Sequence, residues 1–218
     1  MDVVVLGGHG KVALRVLRLL AARGDRARGI IRSPDHAPDL EEVGAEPVIG
    51  DVEKLDDISE LVAGTDAAVM AAGAGPGSGP ARKRTVDYGG AVKLIHACHK
   101  QRIRRYLMVS AMGVRDPGAH GEEMTPYYHA KLEADHALAA SGLDYTIVRP
   151  GRLTNEPGTG RIEVAERLSR GGAIPRDDVA ATLLACLDAP ETIGLDFDLV
   201  SGETPIADAV EALAGGPR

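Results

Sequence analysis

The sequence reads as a doubly wound α/β protein, a mostly parallel sheet with helices on both faces. Short apolar or β-branched runs alternate with amphipathic stretches about six times along the chain. The runs are apolar on successive residues, as strands buried on both faces must be. The 218 residues, 44% hydrophobic and 26% charged, suffice for one packed domain and are few for two. A sheet of this kind binds its ligand at the carboxyl ends of its strands.

Residues 2–6 (DVVVL) give the first strand. GGHGKVALRVLRLLAARG then reads as a glycine turn and a helix with Val12, Ala13, Val16, Leu17 and Leu20 on one face. Residues 27–32 and 45–50 supply the second and third strands, 53–64 a helix, and 66–73 a fourth strand. The Gly/Pro stretch 73–80 precedes a helical pattern reaching about Gln101. Strand 104–110, a helix around Tyr127 to Ala140 and strand 144–148 follow. Beyond Pro150-Gly151 the rhythm loosens, leaving a helix at Arg176 to Leu187, a strand at 196–200 and a last helix near Pro205 to Ala214. Residues 151–218 are therefore expected to cap the substrate side of a single domain spanning 1–218.

Composition narrows the function. With 25 basic against 32 acidic side chains, the chain gives no electrostatic reason for a nucleic acid or an anionic membrane to bind. No apolar stretch approaches a membrane span, and Met1-Asp2-Val3 leads straight into a strand without a basic leader, so the expected compartment is the cytoplasm. Cys98 and Cys186 stand far apart, with no CxxC pair, and read as two reduced, packed thiols. His96 and His99 have metal-pair spacing around Cys98 but no acidic or third ligand nearby, so a surface face is the simpler reading and no metal is expected. Five tyrosines, one phenylalanine and no tryptophan leave a pocket shaped mostly by aliphatic groups and backbone.

In Gly7-Gly8-His9-Gly10-Lys11-Val12-Ala13 the small residues at 7, 10 and 13 fall where a strand becomes a helix. Backbone N–H groups and the helix dipole there face one concavity, which suits a pyrophosphate. At the end of the second strand an acid would accept from a ribose 2′-OH and an arginine would pair with a 2′-phosphate. The chain has Arg32 and Ser33 there, favouring NADP over NAD. Asp51 could accept from the adenine amino group or cap a helix over Glu53 to Val62. Tyr127 and Lys131, spaced i, i+4, share a helix face, and a lysine ammonium would favour the phenolate of the tyrosine. Ser110, ending a strand, could hydrogen-bond a carbonyl or alcohol oxygen. Tyr128 lies about 100° round the helix and ranks second to Tyr127 as an acid.

GGHGKVA, IIRS, GD at 50–51, AAGAG at 71–75, VSA at 109–111, YYHAK at 127–131, DYTIVRPGRLT at 144–154 and RDDVA at 176–180, in this order, resemble the short-chain dehydrogenase/reductase superfamily. The similarity is to its atypical, NmrA-like NAD(P)-binding branch. It implies a Rossmann core, with the nicotinamide near Ala71 to Gly75, Ser110 and the Tyr-Lys pair, and the RPG turn beneath the substrate cleft. By the same resemblance Tyr127 gives or takes the substrate proton during hydride transfer, and Lys131 also holds the nicotinamide ribose.

The expected catalytic set is Tyr127, Lys131 and Ser110. The expected cofactor-binding set is Gly7, His9, Gly10, Lys11, Val12, Arg32, Ser33, Asp51, Val52, Ala71, Ala72, Gly73, Lys131 and Pro150. His9 either touches the cofactor or stands exposed, and His129 faces away from the Tyr-Lys stripe. Arg82-Lys83-Arg84 either folds over an anion or forms the charged first turn of a solvated helix. Arg149 is expected to anchor the RPG turn and Arg152 to meet a substrate anion. The function expected is an NADP-dependent oxidoreductase or epimerase-like enzyme acting on a small carbonyl or alcohol. The alternative is a non-catalytic NADP-binding sensor reporting to a protein partner. The helices at 80–101 and 127–140 suit intramolecular packing or a homodimer equally.

Overall fold

The computed structural model describes residues 1–75 and 77–215. In chain order the elements are β1 (Asp2–Leu6), α1 (Lys11–Ala22), β2 (Arg26–Ile31), α2 (Ala37–Glu42), β3 (Glu46–Ile49), β4 (Ala67–Met70), α3 (Pro80–Lys83), α4 (Gly90–Gln101), β5 (Arg105–Val109), α5 (Thr125–Ala139) and β6 (Asp144–Pro150). There follow β7 (Arg152–Thr154), β8 (Arg161–Ala165), β9 (Ala173–Pro175), α6 (Arg176–Asp188), β10 (Leu195–Ser201), β11 (Thr204–Pro205) and α7 (Ile206–Ala214).

The main sheet runs β11-β8-β10-β6-β5-β4-β1-β2-β3. From β10 to β3 every pairing is parallel, as the uninterrupted apolar runs require; β8 and β11 extend the far edge antiparallel. Successive residues of β1 feed opposite faces. Val3 and Val5 join a layer with Val16, Leu17 and Leu20 of α1 and Val179, Leu183 and Cys186 of α6. Val4 and Leu6 join the other layer, with Leu94, Ile95 and Cys98 of α4 and Ala134 and Leu138 of α5. Truncating a fully buried leucine such as Leu17 would cost about 2–5 kcal/mol. Helices α1 and α6 lie side by side, joined at the surface by Arg15 Nε to Asp177 at 2.5 Å.

Two sequence expectations are corrected. The helix expected over Glu53 to Val62 is a run of turns ending in one 3-10 turn at Ser59–Val62. Asp51 Oδ1 accepts from the Glu53 N–H at 3.0 Å and Asp57 Oδ1 from the Ser59 N–H at 2.8 Å, and each local turn competes with a continuous helix. The C-terminal segment also does more than cap the core. β10 enters the sheet beside β6, pairing Phe197 with Val148, and β7 and β9 form a separate two-stranded ladder.

The long pattern from Pro80 to Gln101 is helical throughout, but Arg84–Gly89 is wound as a π-helix between α3 and α4. That bulge shifts the helical phase and turns Asp87 into the interior, where it is 1% exposed. No helix among the described residues is long and apolar enough to cross a membrane.

Candidate active site

Parallel register brings four strand ends to one line. Leu6 pairs with Met70, Met70 with Met108, and Val109 with Val148, so Gly7, Ala71 and Ser110 leave the sheet together, with Pro150 ending β6. Hydrogen bonds knit this edge: Ala71 N–H to Leu6 O at 3.1 Å, Ser110 N–H to Val148 O at 2.8 Å, and Met112 N–H to Pro150 O at 2.9 Å.

Gly7 sits at φ +87°, and a Cβ there would lie 2.6 Å from the Cα of Ala72, so the turn and the end of β4 meet backbone to backbone. The Gly10 N–H donates to Gly7 O at 2.7 Å and closes the turn. Gly10 gives α1 no side-chain cap, and the first turn carries no acid. The leading N–H groups of a twelve-residue helix are thus left for an anion, which is the fit a dinucleotide pyrophosphate needs. Lys11 is exposed beside the turn and Val12 is buried beneath it.

Beyond β2, Arg32 is exposed and makes no hydrogen bond or ion pair among the described residues. Ser33 is committed locally: its Oγ accepts from the Asp35 N–H and donates to Asp35 Oδ2 at 3.1 Å, capping a short 3-10 turn. His9 stacks on His36 at 3.8 Å and pairs through Nε2 with Asp39 at 2.6 Å. Asp51 and Val52 lie half-buried after β3.

Helix α5 carries Tyr127, Lys131 and Asp135 on one stripe. Lys131 is 4% exposed, donating to Val109 O at 3.1 Å and Ala72 O at 3.5 Å, with Asp87 Oδ1 at 3.3 Å. Asp87 Oδ2 in turn accepts from the Ala74 N–H at 3.1 Å, tying the loop after β4 to the same pair. Burial works against the Lys131 ammonium, but Asp87, with Tyr127 and Asp135, outweighs it and holds the group above the ordinary lysine range.

Lys131 favours the Tyr127 phenolate, but burial acts more strongly against it. Burial pushes the Tyr127 hydroxyl above the ordinary tyrosine value, and the pull of Lys131 offsets this only in part, with Asp87 adding to the rise. The negative charge of Asp87, paired with Lys131, opposes the pull that the ammonium exerts on the phenol.

Below the pair, Asp135 meets Arg149 Nε at 2.8 Å with both side chains buried, and Arg149 continues to Asp196 Oδ1 at 2.5 Å. Asp196 also binds Arg115 of the loop after β5. Arg149 therefore locks the end of β6 to α5 and β10, whereas Arg152 is exposed. Burial raises the Asp135 carboxyl, while Arg149 and the adjacent Ser110 hydroxyl oppose the rise. Ser110 Oγ and Asp135 Oδ1 are both buried without an aligned hydrogen-bond partner among the described residues.

Tyr128 packs rather than duplicating Tyr127: its ring stands edge-on to Tyr127 at 5.2 Å and stacks on His120 at 3.8 Å. The basic run has partners, Arg82 on Glu53 at 3.1 Å, Lys83 on Glu123 O at 3.4 Å and Arg84 on Glu133 at 2.9 Å. His96, His99 and His129 are exposed. Asp87 and Asp135 are the site residues that the sequence reading missed. Asp135 continues the i, i+4 stripe from Lys131, a visible signal; Asp87 had none, because the π-helix changes its phase.

A family model described as NAD(P)H-binding matches residues 7–190. A Bacillus subtilis protein described as an uncharacterized sugar epimerase, YhfK, is 41% identical over 98% of this chain and 100% of its own length. Among solved structures, a candidate NAD-dependent epimerase/dehydratase from Bacillus halodurans is 40% identical, with TM-score 0.93 over 98% of this chain and 100% of that one. The oxidoreductase ylbE from Lactococcus lactis is 27% identical, with TM-score 0.86 over 100% and 99% of the two chains.

Proposed function

Since the chain belongs to the NAD(P)H-binding family, within the atypical NmrA-like branch of the short-chain dehydrogenase/reductases, we propose that it is an NADP-dependent oxidoreductase acting on a small carbonyl or alcohol. The observation that carries this reading is Tyr127 beside the buried Lys131, on the same sheet edge as the uncapped glycine turn. Bound there, NADPH would supply a hydride to the substrate carbonyl carbon. Tyr127 donates its proton to the carbonyl oxygen, and its raised pKa keeps that proton in place at neutral pH. Lys131 orients the phenol from below and, through Val109 O and Ala72 O, fixes the strand ends on which the nicotinamide would rest. Ser110, with a hydroxyl free of other aligned partners, orients the oxygen that receives the proton. An epimerase would use the same groups in both directions.

The 2′-phosphate reading rests on Arg32, a guanidinium without a partner among the described residues, at the end of a strand. Calorimetric titration with NADPH and NADH, on the native protein and on Arg32→Ala, tests it. The substitution is expected to weaken NADPH by about 1.5–3 kcal/mol and leave NADH nearly unchanged. If neither nucleotide binds, the proposal fails. If both bind and no carbonyl is turned over, the sensor reading takes its place.

A further inference from the structure

We infer that His36 makes the choice of NADP over NAD proton-linked: it takes up a proton when a 2′-phosphate binds at Arg32, and gives that phosphate a second positive charge. This rests on the 2′-phosphate reading above. Imidazole is the side chain whose ordinary charge change falls between about pH 5 and 8. Two imidazoles meet beside the expected phosphate. His9, inside the glycine turn, and His36, in the turn after β2, stack at 3.8 Å with their planes 8° apart.

Both rings are placed by short, fixed stretches of backbone. The Gly8 N–H donates to Ile30 O at 2.9 Å, and a Cβ on Gly8 would lie 2.8 Å from the Cα of Gly29, so the glycine turn rests directly on β2. Opposite it, the His36 N–H donates to Ser33 O at 3.2 Å, in the 3-10 turn that Ser33 caps immediately after Arg32. The stack therefore bridges the glycine turn and the strand end that carries Arg32. The charges facing it are few. His9 Nε2 donates to Asp39 Oδ2 of α2 at 2.6 Å, whereas the His36 ring has no hydrogen-bond partner among the described residues. Asp35 is engaged by the Ser33 hydroxyl at 3.1 Å, and Arg32 and Lys11 are exposed cations on either side. Two imidazolium rings at stacking distance repel, and the single carboxylate of Asp39 offsets only one of them. A dianionic 2′-phosphate supplies the missing counter-charge, and the second proton enters from solvent. NAD carries a hydroxyl at that place and brings no such charge.

Calorimetric titration of NADP+ and NAD+ in two buffers of equal pH but different ionisation enthalpy counts the protons taken up on binding. It is run at about pH 6 and about pH 8 on the native protein, His36→Asn and His36→Lys, with NAD+ affinity as a check on folding. The 2′-phosphate releases part of its own proton on meeting a cation, and His36→Asn records that contribution alone. The native protein is expected to take up more proton with NADP+ than His36→Asn does, with no such difference for NAD+. Its preference for NADP+, divided by that of His36→Asn, should be roughly two- to fivefold greater at the lower pH, the range for a partly exposed charge pair. His36→Lys, whose ammonium stays charged throughout, should hold that advantage at both pH values without the proton uptake. Equal proton counts in the native protein and His36→Asn, with NADP+ still preferred, overturn the inference and leave the Arg32 reading standing. Equal affinity for NADP+ and NAD+ at both pH values overturns the two together.

Discussion

Asp87 Oδ1 lies 3.3 Å from Lys131 Nζ, and neither side chain is more than 6% exposed. Removing one member of such a pair strands a charge in the interior, so Asp87→Ala is expected to lose about 3–5 kcal/mol of stability, read by chemical denaturation. The double variant Asp87→Leu, Lys131→Met should regain most of that loss, and a double as unstable as the sum of its singles would refute the coupling. The pair also sets a pH dependence. The folded-state Lys131 value is raised above the unfolded one, so its contribution is complete below about pH 10.4 and fades as pH climbs through the folded value. Alkaline unfolding of Asp87→Asn is expected at a lower pH than that of the native protein.

Tyr127→Phe removes the proton donor while sparing the ring. Turnover with a carbonyl substrate should fall about 10²- to 10⁴-fold, with NADPH affinity nearly unchanged. Because the hydroxyl is held above the ordinary tyrosine value, reduction should run at a pH-independent rate through neutrality. Alcohol oxidation, which needs the phenolate, should keep rising toward alkaline pH. A pH profile with an inflection near neutrality that vanishes in Tyr127→Phe would contradict the assignment.

Gly7→Ala tests the turn itself. At φ +87° a side chain is strained, and its Cβ would lie 2.6 Å from the Ala72 backbone. A stability loss of about 1–3 kcal/mol is expected, together with NADPH binding weakened by more than tenfold. Native-like cofactor affinity in this variant, measured by calorimetry, would remove the turn from the binding site.

Burial pushes both thiols, Cys98 and Cys186, up to about 12. Ellman's reagent should therefore leave the native protein unlabelled at neutral pH and titrate both thiols once guanidinium unfolds it. Rapid labelling without denaturant would show that one helix face opens in the native state.

What was legible in the sequence follows physical range. The strand–turn–helix at residues 2–22 could be read directly, because its apolar stripe and its glycines act within a few residues of one another. The false helix over Glu53 to Val62 arose because Asp51 and Asp57 bind their own backbone, which periodicity does not register. Strands β7, β9 and β11 have three, three and two residues, too few to display a period. At the site, the Tyr127–Lys131 stripe is local to one helix. Asp87 reaches it only through a π-helix and a tertiary approach from another part of the chain.

The packing of α6 against α1 carries a consequence for synthesis. Val16, Leu17 and Leu20 share their layer with Val179, Leu183 and Cys186 of α6 as well as with Val3 and Val5, so a nascent chain still lacking α6 leaves one side of that apolar stripe uncovered directly behind its glycine turn. The ribosome must release α6 before that stripe is fully shielded. Cofactor added during translation should accordingly bind only after α6 has emerged, and its capture would report a closed layer rather than a folded amino-terminal half.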